Sequence, residues 1–207
     1  MSESLEKVAS ELARVASVLH ARGWMLGTSG NLSAVVETEP LRLAITPSGL
    51  DKGELSSEQI LLIDENGKSI GDHRGKPSDE TPLHISVITT RGAGAVAHTH
   101  SVWATILSDL HAAEGGLAIE GYEMLKGLRG VTTHLHKEWI PIFDNSQEMP
   151  ALAESISEVL ARQPNTHAFL LRRHGLYTWG RDLKETQRHV EILEFLLEAV
   201  GRTWEIG

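Results

Sequence analysis

The chain has 207 residues, 41% hydrophobic and 23% charged, with 19 basic and 28 acidic side chains and a formal net charge of −9; this suits one folded domain over residues 1–207 and excludes a disordered chain. Arg172-Arg173 is its nearest approach to a basic cluster and no apolar run nears the about 20 residues that cross a bilayer, so neither nucleic acid nor a membrane is expected as a partner. The lack of cysteine removes disulfides, thiolate metal sites and a cysteine nucleophile, and with an N-terminus too charged for a signal peptide it points to the cytoplasm.

Residues 3 to 22 carry Leu5, Val8, Leu12, Val15 and Leu19 at spacings of three and four, which predicts an amphipathic helix stopped at Gly23. NLSAVVE and LRLAITP read as short strands about a turn at Pro40, and ILLID with the residues after Asn66-Gly67 reads as a hairpin. A helix is predicted over 80–91, ending near Gly92, then a strand in GAVAH, a helix from Ser101 to Leu110, a strand in WIPIF and a helix over 149–162. HAFLL reads as a strand leading into Arg172-Arg173-His174, with LYTWG as its continuation. A long amphipathic helix from Leu183 to Val200 closes the chain, with Val190, Leu193, Leu197 and Val200 on one face. Linkers, repeats and a glycine-rich dinucleotide fingerprint are absent. The alternation predicts an α/β fold, a three-layer α/β/α sandwich whose central sheet is mostly antiparallel, with strand order left open.

Eleven histidines are available, so arrangement matters more than number. In a strand His98 and His100 point to the same face, and two imidazoles so placed can reach one cation. His174 follows the other strongly apolar strand at a comparable position. Three neutral imidazoles with an open fourth position is the arrangement of a catalytic zinc site. The bland alternative is chance, since a second His-x-His pair occurs at His134-Leu135-His136 in a polar stretch and reads as a solvated loop. His20, His73, His84, His111, His167 and His189 read as surface or core histidines.

Five motifs then fall in order: Gly27-Thr28-Ser29-Gly30-Asn31, Thr46-Pro47-Ser48-Gly49, Lys76-Pro77-Ser78-Asp79-Glu80, His98-Thr99-His100-Ser101 and Arg173-His174-Gly175. Through them the chain resembles the class II aldolase/adducin family along nearly its whole length. The resemblance implies one Zn²⁺ per subunit on His98, His100 and His174, a phosphorylated ketose substrate, and a homotetramer with sites between subunits. The segments Gly121-Tyr122-Glu123-Met124-Leu125-Lys126-Gly127 and Pro141-Ile142-Phe143-Asp144-Asn145 are similar to those of the family's dehydratases. They imply loss of water from 5-methylthioribulose 1-phosphate in methionine salvage. The alternatives are an aldolase or epimerase acting on fuculose- or ribulose-type phosphates, and a non-enzymatic adducin-like interaction domain.

Thr28, Gly30, Asn31, Ser48 and Gly49 would supply backbone N–H, hydroxyl and amide donors to the substrate phosphate, although the same residue types form ordinary turns. Ser78 joins them by resemblance. Asp79 stands where the aldolases have serine, and a carboxylate there would repel phosphate. Lys52, Lys76 and Lys126 are candidates for charge compensation. Glu80 matches the acid/base glutamate of the aldolases, the alternative being a carboxylate at a helix start before Thr81-Pro82. Glu123 matches the acid/base glutamate of the dehydratases, the alternative being an exposed residue on a short helix. Its neighbours Tyr122, Met124 and Leu125 suggest partial burial, which would raise its carboxyl towards a useful range.

Overall fold

The apolar residues of the strand segments come at a period of two on both faces, the pattern of a sheet buried from both sides. The computed structural model describes residues 3–71 and 75–206, so His73 lies outside the described residues. Within these, the order is α1 (Glu3–Ala21), β1 (Asn31–Thr38), β2 (Leu41–Ile45), β3 (Leu61–Asp64), α2 (Thr81–Arg91), β4 (Ala95–Thr99), α3 (Val102–Leu110), β5 (Gly116–Glu120), β6 (Lys137–Phe143), α4 (Met149–Arg162), β7 (Ala168–Leu171), β8 (Gly175–Gly180) and α5 (Leu183–Ile206).

The strands form one sheet in the order β3-β2-β1-β4-β8-β7-β6-β5. All neighbours are antiparallel except β6 and β7. One face is covered by α2 and α4, where Leu83, Val87, Ile156 and Leu160 pack on Val96, Phe169, Leu171 and Trp179. On the other face α1 packs Leu12, Val15 and Leu19 on Leu32, Ala34, Ala95 and Ala97. Beside it, α3 and α5 cover Leu117, Ile140, Ala168 and Leu170. Along β4 and β7 successive residues thus belong to opposite layers, and the expected three-layer α/β/α sandwich with a mostly antiparallel sheet is what forms.

Two local expectations are corrected. LYTWG does not continue the HAFLL strand: the chain reverses at Arg172-Arg173-His174, Arg173 adopting φ 54, and β8 pairs back on β7. An arginine pair carries no turn signal, so the reversal is invisible to pattern reading. The five-residue β5 was not anticipated; it pairs with the start of β6, which begins at Lys137 rather than at WIPIF. The residues after Asn66-Gly67 fold back on β3 as expected, the Asp64 N–H donating to the Lys68 carbonyl at 2.9 Å and the Ile70 N–H to the Leu62 carbonyl at 2.7 Å about an antiparallel bridge between Ile63 and Ser69.

Candidate metal centre

Strand register lines up the first components of the site. Asn31 of β1 pairs with His98 of β4, and His98 pairs with Tyr177 of β8, so the three lie in one row across the sheet. Alternation turns His100 to the same side as His98. The chain then leaves the sheet at Ser101, whose hydroxyl caps α3 by accepting from the Ala104 N–H. His174 enters from the β7–β8 reversal. A Cβ on Gly175 would sit 2.0 Å from the Thr99 carbonyl oxygen, so glycine is what lets the start of β8 lie against the end of β4 and deliver the preceding histidine.

The three imidazoles converge through Nε2. His100 Nε2 lies 2.8 Å and His174 Nε2 3.3 Å from His98 Nε2. His98 Nδ1 donates to the Leu176 carbonyl at 3.1 Å, which leaves the lone pair on Nε2 facing inward. Outer hydrogen bonds of this kind orient metal-ligating histidines. His174 Nδ1 is 3.2 Å from Asn145 Oδ1. Burial, reinforced by the neighbouring imidazoles, pushes His100 down to about 3 and His174 to about 4, so both are neutral and free to ligate at pH 7. His98 is fully buried and stacks on Tyr177, ring centroids 4.0 Å apart.

Glu80 completes the cluster. Its Oε1 is 3.3 Å from His98 Nε2 and 3.2 Å from His174 Nε2. Burial opposes its ionisation, yet His98 and His174 together with the Asn31 amide, which donates to Oε2 at 2.7 Å, hold the carboxyl well below its ordinary range. Three nitrogen lone pairs and a carboxylate aimed at one point form a donor set for a divalent cation of borderline softness.

All six residues expected at the substrate phosphate, Thr28, Gly30, Asn31, Ser48, Gly49 and Ser78, line one cleft of about 220 Å³ whose wall also includes Glu80 and His100. Of the three candidate lysines only Lys52 lines it. Lys52 is buried, donates to the carbonyls of Thr28 and Leu50 at 3.0 and 2.8 Å, and is lowered by burial. Lys76 faces Asp79 on the surface and Lys126 binds Glu123.

Glu123 departs from expectation. Its side chain is 72% exposed on the short turn Glu123–Gly127 and its Oε1 accepts from Lys126 at 2.6 Å. The hydrogen bond and charge of Lys126 lower its carboxyl, so the predicted burial and upward shift are not found. Glu123 is not among the groups that converge with the histidines. The second histidine pair is also corrected. His134 is exposed near Glu123, but His136 is half-buried against the buried Glu138.

Three supporting residues escaped the sequence reading. His84 of α2 bonds the Asn31 side chain through Nε2 and the Ser33 hydroxyl through Nδ1 at 2.7 Å, fixing the amide that holds Glu80. Tyr177 backs His98. Glu194 of α5, raised to about 7 by burial, accepts from Thr99 at 2.6 Å beneath the histidine strand. A polar residue inside an apolar helical stripe was the one available signal for His84 and Glu194.

Comparison with known proteins agrees with this geometry. The Class II Aldolase and Adducin N-terminal domain matches residues 10–200. The chain belongs to the class II aldolase/adducin family. Among curated members, the methylthioribulose-1-phosphate dehydratase of Sorangium cellulosum is 41% identical over 94% of this chain and 92% of that protein. That of Pectobacterium atrosepticum is 46% identical over 86% of this chain and 85% of its own length. Among solved structures of the family's fold, YgbL of Klebsiella pneumoniae superposes with a TM-score of 0.80 at 26% identity, covering 96% of this chain and 90% of YgbL. An L-fuculose 1-phosphate aldolase superposes at 0.79 with 24% identity, covering 97% of this chain and 88% of the aldolase. No helix among the described residues is long and apolar enough to cross a membrane.

Proposed function

We propose that this member of the class II aldolase/adducin family dehydrates 5-methylthioribulose 1-phosphate to 2,3-diketo-5-methylthiopentyl 1-phosphate and water, in cytoplasmic methionine salvage. A zinc ion held by His98, His100 and His174 would serve the reaction. The observation that carries the reading is adjacency: the cleft with six phosphate-donor candidates shares Glu80 and His100 with the metal centre. A phosphorylated substrate anchored there presents its carbonyl end to the histidines. The substrate's identity rests on the relatives, which carry the dehydratase name at 41% and 46% identity.

When bound, zinc supplies Lewis acidity to the substrate carbonyl and acidifies the adjacent C3–H. The chain's own groups do the rest. Thr28, Gly30, Asn31, Ser48, Gly49 and Ser78 hold the phosphate, with Lys52 as the nearby cation. Glu80, ionised where the cleft meets the histidines, is the carboxylate placed to take the C3 proton, its low basicity offset by the acidity the bound metal would give that C–H. Glu123 protonates the departing C4 hydroxyl, so that water leaves and the enol collapses to the diketone. Because Glu123 is exposed in the single chain, this role fits a site completed in an oligomer. The exposed stripe Val102, Ile106 and Leu110 on α3 supports such association, for which we infer a homotetramer. Residues 1–207 act as one domain in this reading.

A second reading, a sugar-phosphate aldolase, draws on Glu80 lying at the metal centre. Incubating the zinc-loaded protein with 5-methylthioribulose 1-phosphate separates the two. A diketone formed with release of one water supports dehydration, whereas cleavage into two shorter carbonyl products, or no turnover, overturns it.

A further inference from the structure

A second convergence of ligating groups lies at the far end of the sheet. A cavity of about 600 Å³ is bounded there by Gly92 and Ala93, which precede β4, and by Gly180, which ends β8. His98 and Gly175 occupy the opposite ends of those strands. Glu138 of β6 has a fully buried side chain. Its Oε2 lies 2.8 Å from His136 Nε2 and 2.9 Å from His167 Nδ1, and both histidines line the cavity.

The hydrogen bonds around His167 determine which of its nitrogens is available. His167 Nε2 is 2.8 Å from the Arg129 carbonyl oxygen and must carry a proton to donate to it. Residue 129 is itself held, its N–H donating to His189 Nε2 at 3.1 Å while His189 Nδ1 donates to the Trp179 carbonyl at 2.7 Å. In the neutral ring the lone pair therefore sits on His167 Nδ1 and faces the Glu138 carboxylate. An imidazole that gives its outer N–H to a backbone carbonyl and aims the other nitrogen inward is posed as a metal-ligating histidine is. Glu138 Oε1 is fixed by the His167 backbone N–H at 2.8 Å, which leaves Oε2 as the ligand atom. The Glu138 carboxylate meets both ring nitrogens at hydrogen-bond distance, a position that either a proton or a bound cation can occupy. Arg91 also lines the cavity, but its guanidinium is committed to the carbonyls of Leu160, Gln163, Pro164 and Thr166.

We propose that His136, Glu138 and His167 form a second divalent-cation site, of the zinc class, separate from the His98 centre. Their ligand atoms all lie within 4.8 Å of one another. Two imidazole nitrogens and a carboxylate oxygen are a zinc-type donor set, and the adjoining cavity supplies room for a water as fourth ligand. The ion would tie the loop ending at His136 to β6 and β7. Gly121 donates to the His134 carbonyl at 3.0 Å, so the same tie steadies the segment that leads into Glu123.

Equilibrium dialysis against Zn²⁺ followed by elemental analysis tests the site without reference to catalysis. The wild-type protein should hold two ions per subunit, and His100→Ala/His174→Ala and Glu138→Gln one each. If the double variant holds none, the second site does not exist and His136, Glu138 and His167 share only protons. Should Glu138→Gln fail to fold, His136→Ala serves, because His136 lies at the cavity rim and its loss leaves the Glu138–His167 contacts in place. This variant should lose one equivalent with unchanged circular dichroism, and retention of both ions overturns the proposal. Zinc should also raise the melting temperature of His100→Ala/His174→Ala, and cease to do so once His136→Ala is added. A wrong assignment of the first centre gives a different result, with two ions retained in His100→Ala/His174→Ala.

Discussion

His174 faces the other two imidazoles through its Nε2, and beyond them its half-buried side chain meets Glu80 and, through Nδ1, Asn145. His174→Ala should therefore cut zinc bound at the first centre below a tenth of an equivalent while leaving far-ultraviolet circular dichroism unchanged, as elemental analysis would show. Glu123 is the opposite case, exposed and paired with Lys126. Glu123→Gln should keep full zinc content but lose turnover by on the order of 100-fold or more, the scale of a general acid; full activity in that variant would remove Glu123 from the mechanism. Gly175 is fixed by space rather than chemistry. Gly175→Ala brings a Cβ to 2.0 Å from the Thr99 carbonyl oxygen, and the resulting overpacking should cost about 1–3 kcal/mol in urea unfolding.

At the scale of elements, the site is a product of strand ends. β4 carries His98 and delivers His100 just past its end, and its alternation puts Val96 and His98 towards α2 and α4 while Ala97 and Thr99 face the layer that holds α5. The α2–α4 layer matters to chemistry because α2 presents His84 to Asn31 and begins just after Glu80. Ile156 of α4 is fully buried against this layer. Ile156→Ala should destabilise the fold by about 2–5 kcal/mol, and where the protein remains folded the zinc stoichiometry should not change. Loss of zinc in a folded Ile156→Ala protein would show that α4 packing, and not the strand register, positions the ligands.

For the whole molecule, buried histidines set the response to acid. Burial lowers His84 to about 3 and His189 to about 4 from an ordinary value of 6.5. Between about 4 and 6.5 the unfolded chain takes up protons that these folded rings refuse, so stability is lost as pH falls through that window. Glu194, raised to about 7, acts in the opposite sense above its ordinary value of 4.5, and so does His167, which is also raised, while His100 and His174, lowered to about 3 and about 4, add to the loss carried by His84 and His189. Metal-free protein should thus unfold at lower urea at pH 5 than at pH 7, by on the order of 1 kcal/mol per pH unit for each unopposed histidine. His189→Asn should flatten the slope, and an unchanged slope would contradict the assignment. The exposed stripe on α3 belongs to the same scale. Replacing Val102, Ile106 and Leu110 with polar residues should lower the mass seen by light scattering if that face joins subunits, and unchanged mass would exclude the face from the interface.

Local pattern alone determined most of the elements, the shared face of His98 and His100, and the order of the motifs that mark the family, because periodicity and glycine or proline chemistry act within a few residues. The residues that line the cleft beside the histidines lie in short motifs visible locally, with Ser78 singled out by resemblance alone. Only the tertiary structure decided the strand order, the reversal that makes β8 a partner of β7, and the meeting of His174 with His98, 76 positions apart. It also selected Lys52 over Lys76 and Lys126, left Glu123 on the surface, and drew His136 and Glu138, at the edge of a stretch that reads as a polar loop, together with His167 at the start of the HAFLL strand. Those outcomes depend on which strands pair and in what register. Register is set by burial of both sheet faces at once, a global condition that a short window of sequence does not contain.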